Sequence, residues 1–428
     1  MCPTNGSPRD RGAVWIPAAV FLAALALRLV CLVQLHAGGL WDYLRLDPLY
    51  YHDWAVKISQ GDILGSGTFE MSPLYAYLLG GLFKLAGYGL WAPRLAQAAI
   101  GAGTCALIAF LGTRIFGRAE GLVGGLLLAA YGPDIFHGLQ ITKTVLTTGL
   151  STAAAAILFF SEGRRAGRIF LGGLALGVTA LCQENILAAT PILLVWILRR
   201  APKRSKILCA AALVCGVVCA VAPATLRNFA VAKEFVLITS GGGEVFYTGN
   251  NEFASGKYRV PSFVRPDPFF EHEDFRAEAA RRTGRQLTRR ESDAFWWREG
   301  VRFIKENPRR YAALLWDKLA TYLNDFERPD NYSYQNFARF VPVLSLPLAR
   351  FGWIVPFALL GLIVSAPRWE TLLPLHLTMG VYLLSALLFF TQSRYRMPMV
   401  PLLILFSARG LVWLAGVIRQ RRWASIAW

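Results

Sequence analysis

The chain has 428 residues, 55% of them hydrophobic and 13% aromatic, and 17% charged where a soluble domain carries about 25%. Mean hydropathy is +0.40 and the apolar residues run in blocks of about 20, the length that crosses ~30 Å of hydrocarbon; a soluble globular chain is excluded and a polytopic membrane protein is expected. The formal charge of +18 would elsewhere point to nucleic acid, but much of the excess lies in short clusters between apolar blocks, where positive-inside bias puts it, so no nucleic-acid partner is implied.

In chain order, the first apolar block spans 13–35. Arg9 and Arg11 precede it, Arg28 lies within it and no small-residue cleavage site follows. It therefore reads as an uncleaved span. Further spans are expected at 92–113, 119–137, 143–160, 168–182, 185–199, 206–226, 350–366, 371–391 and 397–417, about ten transmembrane helices in all. The fifth and sixth are short and meet at "CQEN" (182–185). With ten spans, "PRDR", "TRIFGR", "EGRRAGR", "RRAPKRSK", "APRW" and "RQRRW" all fall on one side, which is then cytoplasmic. Three segments face outward: the loop 36–91, the turn around 138–142 and the long region 227–349. The apolar stretch 73–88 is too short for a span, and counting it would put the basic clusters outside. A helix lying at the outer membrane face accommodates it.

Three units follow from this layout. Residues 1–226 form a transmembrane bundle with its first outward loop (36–91), 227–349 an extracytoplasmic module, and 350–428 C-terminal transmembrane helices. In the module, "FVLITSGGGEVFYTGNN" predicts strand, turn, strand and turn, and 274–325 carries helical apolar periodicity; a small mixed α/β module is the expectation. The seven cysteines lie in the N-terminal tail or in apolar blocks, so neither a disulfide framework nor a zinc site is implied.

The outward loop carries the most chemistry. In "RLDPLYYHDWA" (45–55), Asp47 follows the first span by about a dozen residues, which places it near the outer interface. Asp before Pro is a good helix start, so a capping role is one reading. The other is a general base, made more basic by partial burial among Tyr50, Tyr51 and Trp54. Aromatic density suits sugars, although aromatic belts also mark any membrane interface.

Further pieces accompany that loop: "SPLYAYLLGGLFKLAG" (72–87), "PRLAQAAIGAGTCALIAFLGTRIFGR" (93–118), "TLRNFAVAKEFVLITSGGGEVFYTGNN" (225–251), "WREGVRFIKENPRRYAALLWDKL" (297–319), "ERPDN" (327–331) and "RYRMPMVPLL" (394–403). In order and spacing they resemble bacterial membrane glycosyltransferases of the protein O-mannosyltransferase and lipid A aminoarabinose transferase type, glycosyltransferase family 39 and relatives. The resemblance implies an all-α, GT-C-like membrane protein in the bacterial cytoplasmic (inner) membrane. It also implies transfer of a sugar from a polyprenyl-phosphate donor to a lipid, glycan or protein acceptor on the periplasmic or exterior side. The acidic residue of the first outward loop then acts as base or orients the acceptor. That role carries over to Asp47, with Asp53 its nearest competitor and Tyr50, Tyr51 and His52 as substrate contacts.

A lipid-phosphate leaving group needs positive charge where its bridging oxygen develops charge, and Arg suits phosphate. Arg394 and Arg396 stand on the expected outer side in a short loop, against the positive-inside bias, and are assigned to the phosphate. Lys143, with Gln140 upstream, and Arg94 at the outer start of the second span are further candidates. Part of the family has an acidic residue after the lysine; here Thr144 follows, which leaves a bridging divalent metal open and no metal ligand assigned. Glu70 matches only the first residue of the aminoarabinose transferases' E-K-P, offset by one, and is taken as a donor or acceptor contact. Arg28, inside the bundle, is expected to pair with a carboxylate. "TSGGGEVFYTGNN" lacks the Lys-Ser/Thr of a phosphate loop, and "EHEDF" (271–275) reads as an acidic helix start, not a metal cluster.

Two other function classes remain open. A lipid-linked sugar transporter or flippase would break its spans at mid-membrane, whereas the polar groups here gather at one face. A degenerate, non-catalytic transferase acting as a binding module is the other.

Overall fold

The computed structural model describes residues 15–161 and 166–420. The basic clusters at 8–11 and 421–423, part of the one at 162–168, and Cys2 lie outside them. The described residues are helical throughout, with no strand and only two isolated bridges, Tyr131 with Ala349 and Lys257 with Thr391.

In chain order the helices are α1 (Trp15–Ala37), α2 (Asp47–Ser59), α3 (Pro73–Ala86), α4 (Trp91–Ile115), α5 (Arg118–Ala129), α6 (Gly132–Leu139), α7 (Thr144–Phe160), α8 (Ala166–Ala180), α9 (Ala189–Arg200) and α10 (Lys206–Ala232). There follow α11 (Gly242–Gly249), α12 (Glu271–Thr283), α13 (Arg289–Glu306), α14 (Pro308–Leu323), α15 (Tyr334–Phe337), α16 (Phe351–Ser365), α17 (Leu373–Leu388) and α18 (Val400–Arg419). Five stretches are long and apolar enough to cross a membrane: α1, α4, Lys203–Ala232, Phe351–Arg368 and α18. Of the other expected spans, α7, α8 and α17 are shorter apolar helices, and 185–199 begins with a 3₁₀ turn before α9. The expected span 119–137 is broken into α5 and α6. Pro133 sits in the first turn of α6, and a proline excludes the helical bond its own N–H would have made.

One core holds α4 between α1 and α5, with α18 packed against α5 and α4. α8 lies along α10 and α16 along α18. Inside the bundle Arg28 pairs with Asp134, the carboxylate partner expected of an intramembrane charge.

A second core gathers α2, α3, α6 and the 332–344 segment beside the C-terminal end of α1 and the N-terminal end of α4. α3 is helical, as the stretch 73–88 predicts. α2 begins at Asp47, with Pro48 in its first turn. The residue before it, Leu46, has φ 51° and ψ −129°, a backbone position that costs a non-glycine residue roughly 1–3 kcal/mol and persists where the surroundings impose it.

The region 227–349 differs from expectation: no strand forms in its described residues, and Gly242–Gly249, inside the segment read as strand, turn, strand and turn, folds as helix α11. Gly241 turns the chain at φ 100°, and the Asp293 side chain accepts from the Gly243 N–H at 2.6 Å, which satisfies one of the open donors of a helix N-terminus. The glycines are there for closeness: a Cβ on Gly243 would run into the Asp293 carbonyl, and one on Gly249 into that of Phe389. α12, α13 and the 263–264 turn close a small core of Val264, Phe275, Ala279, Leu287 and Trp296.

Candidate active site at one end of the bundle

The start of α2 and the turn Ser393–Arg396 before α18 meet although 347 positions separate them. Arg394 bridges two carboxylates, Nη1 donating to Asp47 Oδ2 and Nε lying 2.8 Å from Asp330 Oδ2. Asn331 Nδ2 donates to the same Asp47 oxygen at 3.3 Å. Thus "ERPDN" and "RYR" lie side by side: Glu327 takes Arg396, Asp330 takes Arg394, and the Arg328 N–H donates to Ser393 Oγ at 2.8 Å. Burial by itself would push the Asp47 carboxyl up, but the Arg394 guanidinium and the Asn331 amide hold it below the usual carboxylate range. Asp330, on the same guanidinium, is pushed up by burial and by the charge on Asp47.

Lys143 stands just before α7 and donates from Nζ to Ser72 Oγ at 2.7 Å. It is close enough to Asp47 and Arg394 for each to act on its charge, while burial pulls its pKa down. Arg396 is 1% exposed, pairs with Glu327, donates to the Asn324 carbonyl at 2.5 Å and covers the Phe351 ring at 3.9 Å. Its charge is committed inside the fold.

The remaining assigned residues fall in three other places. Tyr50, one turn along α2, lies 5.1 Å from Phe269, and burial pushes its phenol up to about 12. Phe269 and Glu70 line a cavity of about 260 Å³ with Ser240, Gly241, Glu244, His272, Glu273, Arg276, Arg289 and Ser292. There Glu70 pairs with Arg289 at 2.5 Å. Further along α2, His52 and Asp53 bond each other at 3.0 Å and line a separate cavity of about 550 Å³ with His36, Trp41, Asp42 and Trp91. Asp53 is therefore not beside Arg394. Tyr51 is buried against Tyr75 at 5.1 Å. Arg94 donates to the Leu139 carbonyl at 3.1 Å and stacks on Trp41, and the Gln140 carbonyl accepts from Gln97 at 2.7 Å; both are packed in the bundle wall.

Several groups carry no role in the sequence reading. Asp330 and Asn331 stand in a quoted motif, and only their proximity to Arg394 gives them a task. His272 belongs to "EHEDF", which does open a helix, and it pairs with Glu244; burial would lower its pKa, but the Glu244 carboxylate raises it. Glu271 accepts from the Tyr258 hydroxyl, and burial, with the nearby Asp47 and Glu244 charges, pushes its carboxyl up to about 7. Among the described residues no group of three or more His, Cys, Asp or Glu side chains is placed to hold a metal ion.

Residues 70–225 match the family model described as dolichyl-phosphate-mannose-protein mannosyltransferase. The oligosaccharyltransferase of Archaeoglobus fulgidus, solved in the apo form, aligns at TM-score 0.56 and 12% identity, over 97% of this chain and 52% of that one. The chain thus spans about half the length of that neighbour. ArnT from Cupriavidus metallidurans bound to undecaprenyl phosphate aligns at TM-score 0.42 and 16% identity, over 92% of this chain and 77% of that one. No curated protein matches the chain in sequence. The resemblance to GT-C membrane glycosyltransferases holds in the family segment and in the fold.

Proposed function

We propose that this chain is an inverting glycosyltransferase that moves a sugar from a polyprenyl-phosphate donor to an acceptor hydroxyl at the outer face of the membrane. The observation that carries the reading is the meeting of Asp47 with Arg394 beside Lys143, one carboxylate and two cations at the end of an apolar bundle. The family description, which names a lipid-phosphate-linked sugar, supports the donor class.

The chemistry is a single displacement. The acceptor oxygen bonds to the anomeric carbon as the bond from that carbon to the phosphate oxygen breaks. The acceptor proton goes to the Asp47 carboxylate, and the electron pair leaves with the lipid phosphate. Arg394 and Lys143 stabilise the charge growing on that phosphate, where prepositioned cations contribute most. Without donor, Arg394 lies on Asp47 and depresses its basicity. A phosphate that takes over the guanidinium removes its lowering effect, so donor binding raises the basicity of Asp47. Arg396 holds the 322–330 segment in place and does not touch the phosphate. Asp53 and His52, further along α2, take no part in the proton transfer.

The test is transfer from a radiolabelled polyprenyl-phosphate sugar by the purified chain. Asp47→Asn is expected to lose turnover by about 10²-fold or more while still binding donor. Equal turnover in the two proteins would remove Asp47 from the mechanism.

A further inference from the structure

We propose that the cavity lined by the 60–72 loop and by α11, α12 and α13 is the acceptor subsite, and that it takes a saccharide unit bearing the hydroxyl to be glycosylated. The inference rests on the glycosyltransferase reading and extends it to the class of acceptor. At about 260 Å³ the cavity falls just below the ~300–1,000 Å³ of drug-sized sites, which suits one small polar unit. Its wall alternates acceptors and donors. Glu70 pairs with Arg289 and Glu244 with His272, while Glu273 and Arg276 have no ion-pair partner among the described residues, so one acid and one guanidinium stay open to a ligand. An anion would meet the acids and a cation the guanidinium groups. A polyhydroxylated ring, whose every hydroxyl both donates and accepts, satisfies both.

Two side chains are left incomplete by the protein itself. Ser292 is 0% exposed and its Oγ has no hydrogen-bond partner, although it stands on the cavity wall. A buried hydroxyl without a partner costs roughly 1–3 kcal/mol, a cost removed when the Ser292 side chain turns into the cavity to meet a bound hydroxyl. Arg276, half-buried, has no ion-pair partner among the described residues. Phe269 supplies the one aromatic face on the wall and is 45% exposed. Its ring is also the link to chemistry: it packs on Tyr50, which is one turn beyond Asp47 on α2. A sugar against Phe269 is therefore held one helical turn from Asp47, while the lipid phosphate occupies Arg394 and Lys143 at the bundle end.

Saturation-transfer NMR on the full chain in detergent tests this with methyl gluco-, manno- and galactopyranoside and a short Ser/Thr peptide. Wild type is compared with Arg276→Ala, Ser292→Ala and, as a control outside the cavity, Arg302→Ala. At least one glycoside is expected to bind, with affinity about tenfold weaker in Arg276→Ala, weaker also in Ser292→Ala, and unchanged in Arg302→Ala. No glycoside binding, binding indifferent to both cavity substitutions, or a peptide that alone is lost with them overturns the proposal. The two readings fail separately. Glycoside binding that maps to this cavity while Asp47→Asn keeps full turnover would leave a saccharide site without the proposed chemistry. Lost turnover in Asp47→Asn with no glycoside binding would overturn the subsite alone.

Discussion

Arg394 and Arg396 are two positions apart, and the sequence treats them alike, yet the fold gives them different work. Arg394 lies between two acids that a phosphate can displace; Arg396 is sealed over Phe351 and bonded to backbone carbonyls as well as to Glu327. Removing one partner of a buried pair strands the other charge, at roughly 3–5 kcal/mol. Arg396→Ala is therefore expected to lower the midpoint of thermal unfolding sharply, whereas Arg394→Ala, whose two acids keep 15–18% of their side-chain surface exposed, raises the donor KM and lowers the midpoint less. Donor titration and a melting curve on both variants check this; two equal donor effects would contradict it. Glu271 gives a pH prediction. Its folded pKa, about 7, lies above the unfolded value near 4.5, so between those values the folded chain binds more protons and stability falls as pH rises. Glu271→Gln is expected to melt above wild type at pH 8, with the difference shrinking by pH 5. A gap that does not change with pH would rule this out. Asp47 and the Arg394 loop stood out as candidates because each is an anomaly, a carboxylate in an aromatic cluster and cations in a short loop that the positive-inside rule expects to be poor in them. Asp330 and Asn331 did not, since an acid in a polar turn is ordinary until its neighbour is known.

Among the elements, sequence reading succeeded where periodicity was long and failed where glycine carried two meanings. α12 to α14 follow from the apolar spacing of 274–325 and from acids at a helix start, but α11 did not. "SGGGE" reads as a turn because glycine frees the backbone; here two glycines of the segment are needed because α11 touches the backbones of α13 and of Phe389. The same device joins α16 and α18. A Cβ on Gly361 would collide with the Phe406 carbonyl, while one on Gly380 in α17 would meet nothing within 4 Å. Gly361→Ala is expected to destabilise by roughly 1–3 kcal/mol or more, and Gly380→Ala to stabilise by roughly 0.5–1 kcal/mol. Chemical unfolding of both settles the signs; two substitutions of like effect would show that the helices do not depend on this close approach.

At the scale of the whole molecule, the proposed chemistry needs one face of the bundle for the site and the other for the basic loops. The number of crossings was the part least legible from the sequence, because apolar helices of 12–17 residues serve equally as short spans or as packed core segments. Labelling of intact cells with a membrane-impermeant maleimide is expected to modify Arg285→Cys and to spare Lys203→Cys until the membrane is opened. The reverse pattern would place the site on the cytoplasmic side. The central claim is narrower: Asp47 and Arg394, which touch in this structure, serve one glycosyl transfer. A double-mutant cycle on the transfer rate, with Asp47→Asn, Arg394→Ala and the pair, tests it most directly. Residues that act on one transition state are coupled, so the double variant is expected to be little worse than the more damaged single one. If the two losses multiply as independent effects, the carboxylate and the guanidinium act apart, and the account fails.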